Sequence, residues 1–371
     1  MRSLALARGV HTAELQIKGS PLTRGGPGHG RASVSGQTVT IFGCSGFVAR
    51  YVAQTLGRAG CQLVFPYRCD DTDVQHLRVM GDLGQVVMLP DFDVEDEEAI
   101  ARAVHRSNVV VNCLGADQAT WNYSLKAANA DSAERIARVA AEAAPLERFV
   151  HFSALGAAPD AASERLRTKA AGEAAVREAL GDKATVLRLA PVTGTEDRFL
   201  NAFARLVKSA PFVPIVGEGR QRVQPVWVRD VARAALETLH DAETAGKTYD
   251  LAGPKVYTIN EILDLVYKVI REPDSRIPVP DALARLAAKP IDWMSTKTPI
   301  RTSGLYAGDR IEELIGDDLA LPAKTTNGSI QDLYVEPMPI DVGMPIEFLR
   351  YYRVGGYEVG SIADESTVGS K

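Results

Sequence analysis

The chain has 371 residues, 46% hydrophobic, 24% charged and 6% aromatic, with a formal net charge of -5. No run approaches the roughly 20 apolar residues that span a bilayer, and the mildly acidic balance lacks the basic stripe of a nucleic-acid binder. Cys44, Cys61, Cys69 and Cys113 are too few and too scattered for a disulfide scaffold or a metal site, so they read as buried, reduced thiols.

In chain order, residues 1–36 form a basic extension in which Arg2, Arg8, Lys18, Arg24 and Arg31 face the single acid Glu14. That acid-poor, arginine-bearing start predicts a mitochondrial presequence. Regular structure is expected from Thr38. Residues 38–42 read as a strand, 47–57 as a helix, 62–67 as a second strand and 86–89 as a third. Residues 95–105 read as a helix, with Ala99, Ile100, Ala103 and Val104 on one face. The acids between Asp91 and Glu98 could suggest a metal cluster, but they suit the positive end of that helix better. A fourth strand is expected at 109–113, an alanine-rich helix at 126–143, a fifth strand at 148–152, a helix at 163–180 and a sixth strand at 185–189.

Short apolar strands alternating with helices predict an α/β fold, a Rossmann-type doubly wound parallel sheet covered on both faces. The dinucleotide-binding domain is placed at 37–195. A smaller mixed C-terminal region, 196–330, is interleaved with the sheet; helices are expected near 199–208, 229–240 and 260–270, between proline-rich loops. A C-terminal extension covers 331–371, ending in a polar tail from Gly360.

The strongest local signal is Gly43-Cys-Ser45-Gly46-Phe47-Val48-Ala49, between the first strand and the first helix. Gly43 permits a sharp turn, Gly46 lets backbone N–H groups approach a pyrophosphate, and Ala49 lets the helix sit close to the sheet. The spacing is G-x-x-G-x-x-A, so a tight turn without a ligand remains an alternative. At the end of the second strand stands Arg68, which can pair with the 2′-phosphate of NADPH; Asp70 and Asp71 leave an NAD-type contact open. Asp93 is placed to accept from the adenine amino group, and Leu114 and Gly115 to lie along the cofactor. Ser153, closing the fifth strand, and Pro191, after the sixth, complete the predicted site with Lys169.

The proton relay of short-chain dehydrogenases needs a tyrosine acidified by a lysine four residues on, with a serine polarising the carbonyl. Ser153 and Lys169 are present, but Arg165 stands where the tyrosine should be. Arginine stays protonated and cannot exchange a proton in this way. Lys169 can still hold a nicotinamide ribose, so the expectation is a bound dinucleotide without catalysis.

The glycine loop, Ser153, Lys169 and Leu189-Ala-Pro191 resemble the extended short-chain dehydrogenase superfamily. Longer strings are similar to the family of NADPH-binding accessory subunits of mitochondrial respiratory complex I. They are Ala32-Ser-Val-Ser-Gly36, Pro66-Tyr-Arg-Cys-Asp70, Met80-Gly-Asp-Leu-Gly-Gln85, Ser107-Asn-Val-Val-Val-Asn112, Glu196-Asp-Arg-Phe-Leu-Asn201 and Gln224-Pro-Val-Trp-Val228. The resemblance spans about residues 32–270 and implies a non-catalytic subunit at the matrix face of the inner membrane. It implies NADPH held as a structural ligand, with neighbours in the peripheral arm and at its junction with the membrane arm, beside the quinone-binding region. It also implies subunit or lipid contacts for the C-terminal region. Family members often keep a tyrosine where this chain has Arg165. The competing readings are a free NADP-dependent reductase or epimerase, and a soluble NADP-sensing regulator.

Overall fold

The computed structural model describes residues 35–298, 306–316, 319–321, 326–341 and 343–353. Nearly all of the basic extension and the polar tail after Gly360 therefore lie outside the described residues. The main elements are β1 (Thr38–Phe42), α1 (Phe47–Arg58), β2 (Gln62–Pro66), β3 (Val86–Leu89), α2 (Glu97–Val104), β4 (Val109–Asn112), α3 (Ser132–Ala143), β5 (Arg148–Ala154), α4 (Glu164–Leu180) and β6 (Ala184–Leu189). There follow α5 (Leu200–Ser209), α6 (Val228–His240), β7 (Thr248–Leu251), α7 (Ile259–Ile270), α8 (Asp281–Lys297), α9 (Gly308–Gly316) and β8 (Gly328–Ser329).

The strands form one eight-stranded sheet in the order β8-β7-β6-β5-β4-β1-β2-β3. Every neighbouring pair in it is parallel. The predicted doubly wound sheet is thus the observed one, with two strands more than the sequence signalled. β7 and β8 are short, and their composition (Thr-Tyr-Asp-Leu and Gly-Ser) carries no strand pattern.

Both faces of the sheet are dry, as uninterrupted apolar strands require. Val39, Ile41, Leu63, Phe65 and Val111 pack against α1 and α6. Phe42, Val110 and Phe149 pack on the other side against Ile100 of α2, Ile136 of α3 and Val176 of α4. A separate apolar cluster joins Leu200 and Phe203 of α5 to Ile262 and Val266 of α7 and to Ile346 and Leu349.

The acids preceding α2 behave as expected of a helix start. Asp96 caps it by accepting from the Glu98 N–H at 2.9 Å, and no group of metal-ligating side chains occurs among the described residues. No helix among them is long and apolar enough to cross a membrane.

The strand order reverses between β1 and β4, which opens a crevice at their carboxyl ends. The first turn of the β1–α1 connection lies there.

Candidate dinucleotide-binding site

Gly43 has φ +76°, and a Cβ there would lie 3.1 Å from the Cys113 carbonyl carbon and 3.2 Å from a Leu114 methyl. Only glycine fits both the backbone angle and the approach to the end of β4. The turn is closed by the Gly46 N–H donating to the Gly43 carbonyl at 2.9 Å. The first intrahelical bond of α1 runs from Arg50 N–H to Gly46 O at 3.1 Å. The N–H groups of Phe47, Val48 and Ala49 thus have no intrahelical acceptor. The first turn of α1 carries no acid, Ser45 and Gly46 are exposed, and Ala49 is buried as its packing role requires. An anion placed at this terminus would meet the positive end of the helix dipole.

Beside the loop, Asn112 organises the end of β4. Its Oδ1 accepts from Leu114 N–H at 3.0 Å, and its Nδ2 lies 3.3 Å from His151 Nδ1. Leu114 and Gly115 then pass over Lys169. A Cβ on Gly115 would fall 2.3 Å from Lys169 Nζ. The amine lies 3.4 Å from the Leu114 carbonyl and 3.5 Å from that of Phe152. Burial, then the neighbouring Arg165 guanidinium, push the Lys169 amine down to about 8. Burial, then Lys169 and Arg177, push His151 down to about 3, so its ring is neutral.

Ser153 is 5% exposed and its Oγ has no hydrogen-bond partner. A buried hydroxyl without a partner is costly, and a ribose or nicotinamide group beside Lys169 would satisfy it. Pro191 follows β6. Its carbonyl accepts from Val226 N–H at 3.0 Å, and the following Gly194 lies so close to Phe47 that a Cβ would stand 2.8 Å from the ring. The contacts bring Gly43 beside Cys113 and Leu114, Gly115 beside Lys169, Lys169 beside the Phe152 carbonyl that precedes Ser153, and Phe47 beside Gly194.

Arg68 and Asp93 follow β2 and β3, and both are exposed. The Arg68 guanidinium lies 5.1 Å from the centroid of the Tyr123 ring. Asp71 Oδ1 accepts from the Tyr67 hydroxyl at 2.6 Å. Asp93 accepts from Glu95 N–H at 3.0 Å, a local turn that uses one carboxylate oxygen.

Arg165, one helical turn before Lys169 on α4, is held by a buried carboxylate. Its Nε and Nη2 donate to Glu313 Oε2 at 3.1 and 2.9 Å, and Glu313 is completely buried. Burial opposes the guanidinium charge, but Glu313, with Asp117 and Asp309, holds it above the usual arginine range.

Two site-building residues were not singled out from the sequence. Asn129 lies in a wider, π-type turn ahead of α3. Its Oδ1 accepts from Ala116 N–H at 2.8 Å, and its Nδ2 donates to Ala116 O at 3.2 Å and Thr168 Oγ1 at 3.1 Å, pinning the loop over α4. Asparagine inside an alanine-rich helix was the available signal. Glu313 had none, being 148 residues from Arg165 in sequence.

Residues 39–252 match the model of the NAD dependent epimerase/dehydratase family. Among solved structures, an NADPH-dependent quinone oxidoreductase from Escherichia coli complexed with NADPH superposes with a TM-score of 0.63 at 18% identity. The match covers 82% of this chain and 97% of that one, and it bears on the fold alone. NADH dehydrogenase (ubiquinone) 1 alpha subcomplex subunit 9, mitochondrial, of Arabidopsis thaliana is 40% identical over 359 residues, 96% of this chain and 88% of the relative. The mitochondrial NADH-ubiquinone oxidoreductase 40 kDa subunit of Neurospora crassa is 35% identical, covering 94% of this chain and 88% of its own length. The chain belongs to the NAD dependent epimerase/dehydratase family and, within it, to the group of mitochondrial complex I alpha subcomplex subunit 9 proteins.

Proposed function

We propose that the chain is a non-catalytic accessory subunit of mitochondrial complex I that holds NADPH as a structural ligand. It works as a peripheral subunit on the matrix side of the inner membrane. Its neighbours are subunits of the peripheral arm and of the junction with the membrane arm, near the quinone-binding region, where it supports assembly.

One contrast carries this reading. A nucleotide cradle is supported by the positive φ of Gly43 and the unpartnered hydroxyl of Ser153, and the absence of catalysis by Arg165, four residues before Lys169 and paired with buried Glu313. In NADPH binding, the N–H groups of Phe47 and Val48 take the pyrophosphate and Lys169 the nicotinamide ribose. Leu114 and Gly115 form one wall, and Pro191 closes the other. Ser153 donates to the nicotinamide end. Arg68 supplies the charge for the 2′-phosphate. Bound NADPH would supply a hydride donor, and position 165, four residues before Lys169, holds an arginine that cannot act as the phenol does. The exposed Leu283, Leu286 and Trp293 of α8 support a contact with neighbouring subunits.

The test is nucleotide content. NADPH released on denaturing the purified full chain, with Arg68→Ala cutting retention by about tenfold or more and lowering incorporation into complex I, is the expected result. Retention and incorporation both unchanged in Arg68→Ala would overturn the reading. Steady turnover of NADPH abolished by Lys169→Ala would favour a reductase instead.

A further inference from the structure

α9 is docked on the amino end of α4 by two carboxylates one turn apart. Asp309 accepts from the Ser163 hydroxyl at 3.0 Å, from Glu164 N–H at 2.5 Å and from Arg165 N–H at 3.0 Å. It thereby serves the unsatisfied donors at the positive end of α4. Glu313, fully buried, accepts Arg165 through Oε2 and pairs with Arg310 through Oε1. On the far side α9 holds α8: Gly308 N–H donates to the Asp292 carboxylate at 3.0 and 3.1 Å, and Arg285 pairs with Glu312 at 2.7 Å. The other face of α8 exposes Leu283, Leu286 and Trp293 at 57%, 60% and 63%.

Lys169, the cation of the nucleotide cradle, stands one helical turn after Arg165 on α4. The lysine is held down by burial and by that same guanidinium, so the two cations feel one another. A ligand that engages Lys169 fixes the first two turns of α4. Those turns carry the Ser163, Glu164 and Arg165 donors that Asp309 and Glu313 accept.

We propose that Arg165 is a positioning residue that couples the nucleotide site to the α9–α8 face: occupancy of the crevice favours the docked state of α9, and docking favours nucleotide. The inference rests on the nucleotide reading above and deepens it, because it gives the nucleotide a route to the surface. Coupling of this kind is reciprocal, so the two effects are of equal size.

The experiment is hydrogen exchange of the full chain with and without NADPH, with NADPH affinity measured by calorimetry on the same samples. In the natural chain, NADPH should slow exchange across 308–316 and 281–297 by roughly fivefold or more. In Arg165→Met, protection should stop at α4, and affinity should fall by a similar factor. Arg165→Lys, which keeps a cation beside the buried carboxylate and so protects folding, should retain part of both effects. The inference is overturned if NADPH binds but leaves 308–316 unchanged, or if Arg165→Met transmits protection as the natural chain does. Absence of any NADPH binding overturns the functional reading, and the coupling falls with it.

Discussion

Lys169 is a buried amine with two distant carbonyl contacts, and its cost to the nucleotide-free chain can be measured. Its folded value near 8 lies below the ordinary 10.5, so the unfolded chain binds more protons between those values. The destabilisation is fully present below pH 8 and disappears as pH rises from 8 to 10.5. Lys169→Met should therefore stabilise the nucleotide-free chain at pH 7 by on the order of 2 kcal/mol, and the gain should shrink toward pH 10.5. Denaturant melts at pH 7 and pH 10 check this, and an equal gain at both would refute it. The same variant should lose nucleotide affinity. Gly43→Ala should fail differently, because its strain and its approach to Cys113 act with or without ligand; we expect a loss of about 1–3 kcal/mol and weaker NADPH binding together. Features with a purely local requirement were legible: the positive φ of Gly43 and the buried small side chain of Ala49. Glu313 and Asp309 were not, because they reach Arg165 and α4 across about 145 residues of intervening chain.

Elements that have no chemistry of their own explain the odd strings in the sequence. In Glu196-Asp-Arg-Phe-Leu-Asn201, Asp197 accepts from Gly194 N–H at 3.0 Å and from Asn201 N–H at 2.9 Å, fixing the start of α5. Burial pushes its carboxyl up to about 6 despite these donors. Asn201 then accepts from the Tyr352 hydroxyl at 2.9 Å, which ties the chain's last described turn to α5. Tyr352→Phe should cost about 1 kcal/mol in urea unfolding, and no change would show the tie to be idle. Met80-Gly-Asp-Leu-Gly-Gln85 lies under α1, where a Cβ on Gly57 would stand 1.9 Å from the Met80 carbonyl. Gln224 bridges Gly253 O at 2.6 Å and Leu321 N–H at 3.1 Å. These strings looked specific without catalytic logic because their partners are structural: a local turn at Asp197, the Tyr352 hydroxyl at Asn201, and backbone groups distant in sequence at Gln224. The strand–helix rhythm through β6 was readable from periodicity, whereas β7 and β8 are strands only because a neighbour offers its edge.

At the scale of the whole molecule, a ligand seated between β1, β4 and α4 touches both halves of the sheet. It binds only the folded chain, so it stabilises by mass action, roughly 4 kcal/mol at a thousandfold excess over Kd. NADPH should raise the melting temperature by several degrees, and NADH by less if Arg68 recognises the 2′-phosphate. Equal shifts from both nucleotides would remove Arg68 from that role. The sheet also carries a constraint of timing. β8 pairs with β7 through Tyr249 and Asp250, yet it is encoded at Gly328 and Ser329, far behind its partner in the order of synthesis. A chain emerging amino end first completes seven strands and then carries an open, parallel edge at β7 until the late segment arrives. An unpaired edge of that kind recruits other strands. The final strand of two residues thus works as a closing stitch, and chains cut short before it are the ones a quality-control system would meet as aggregates.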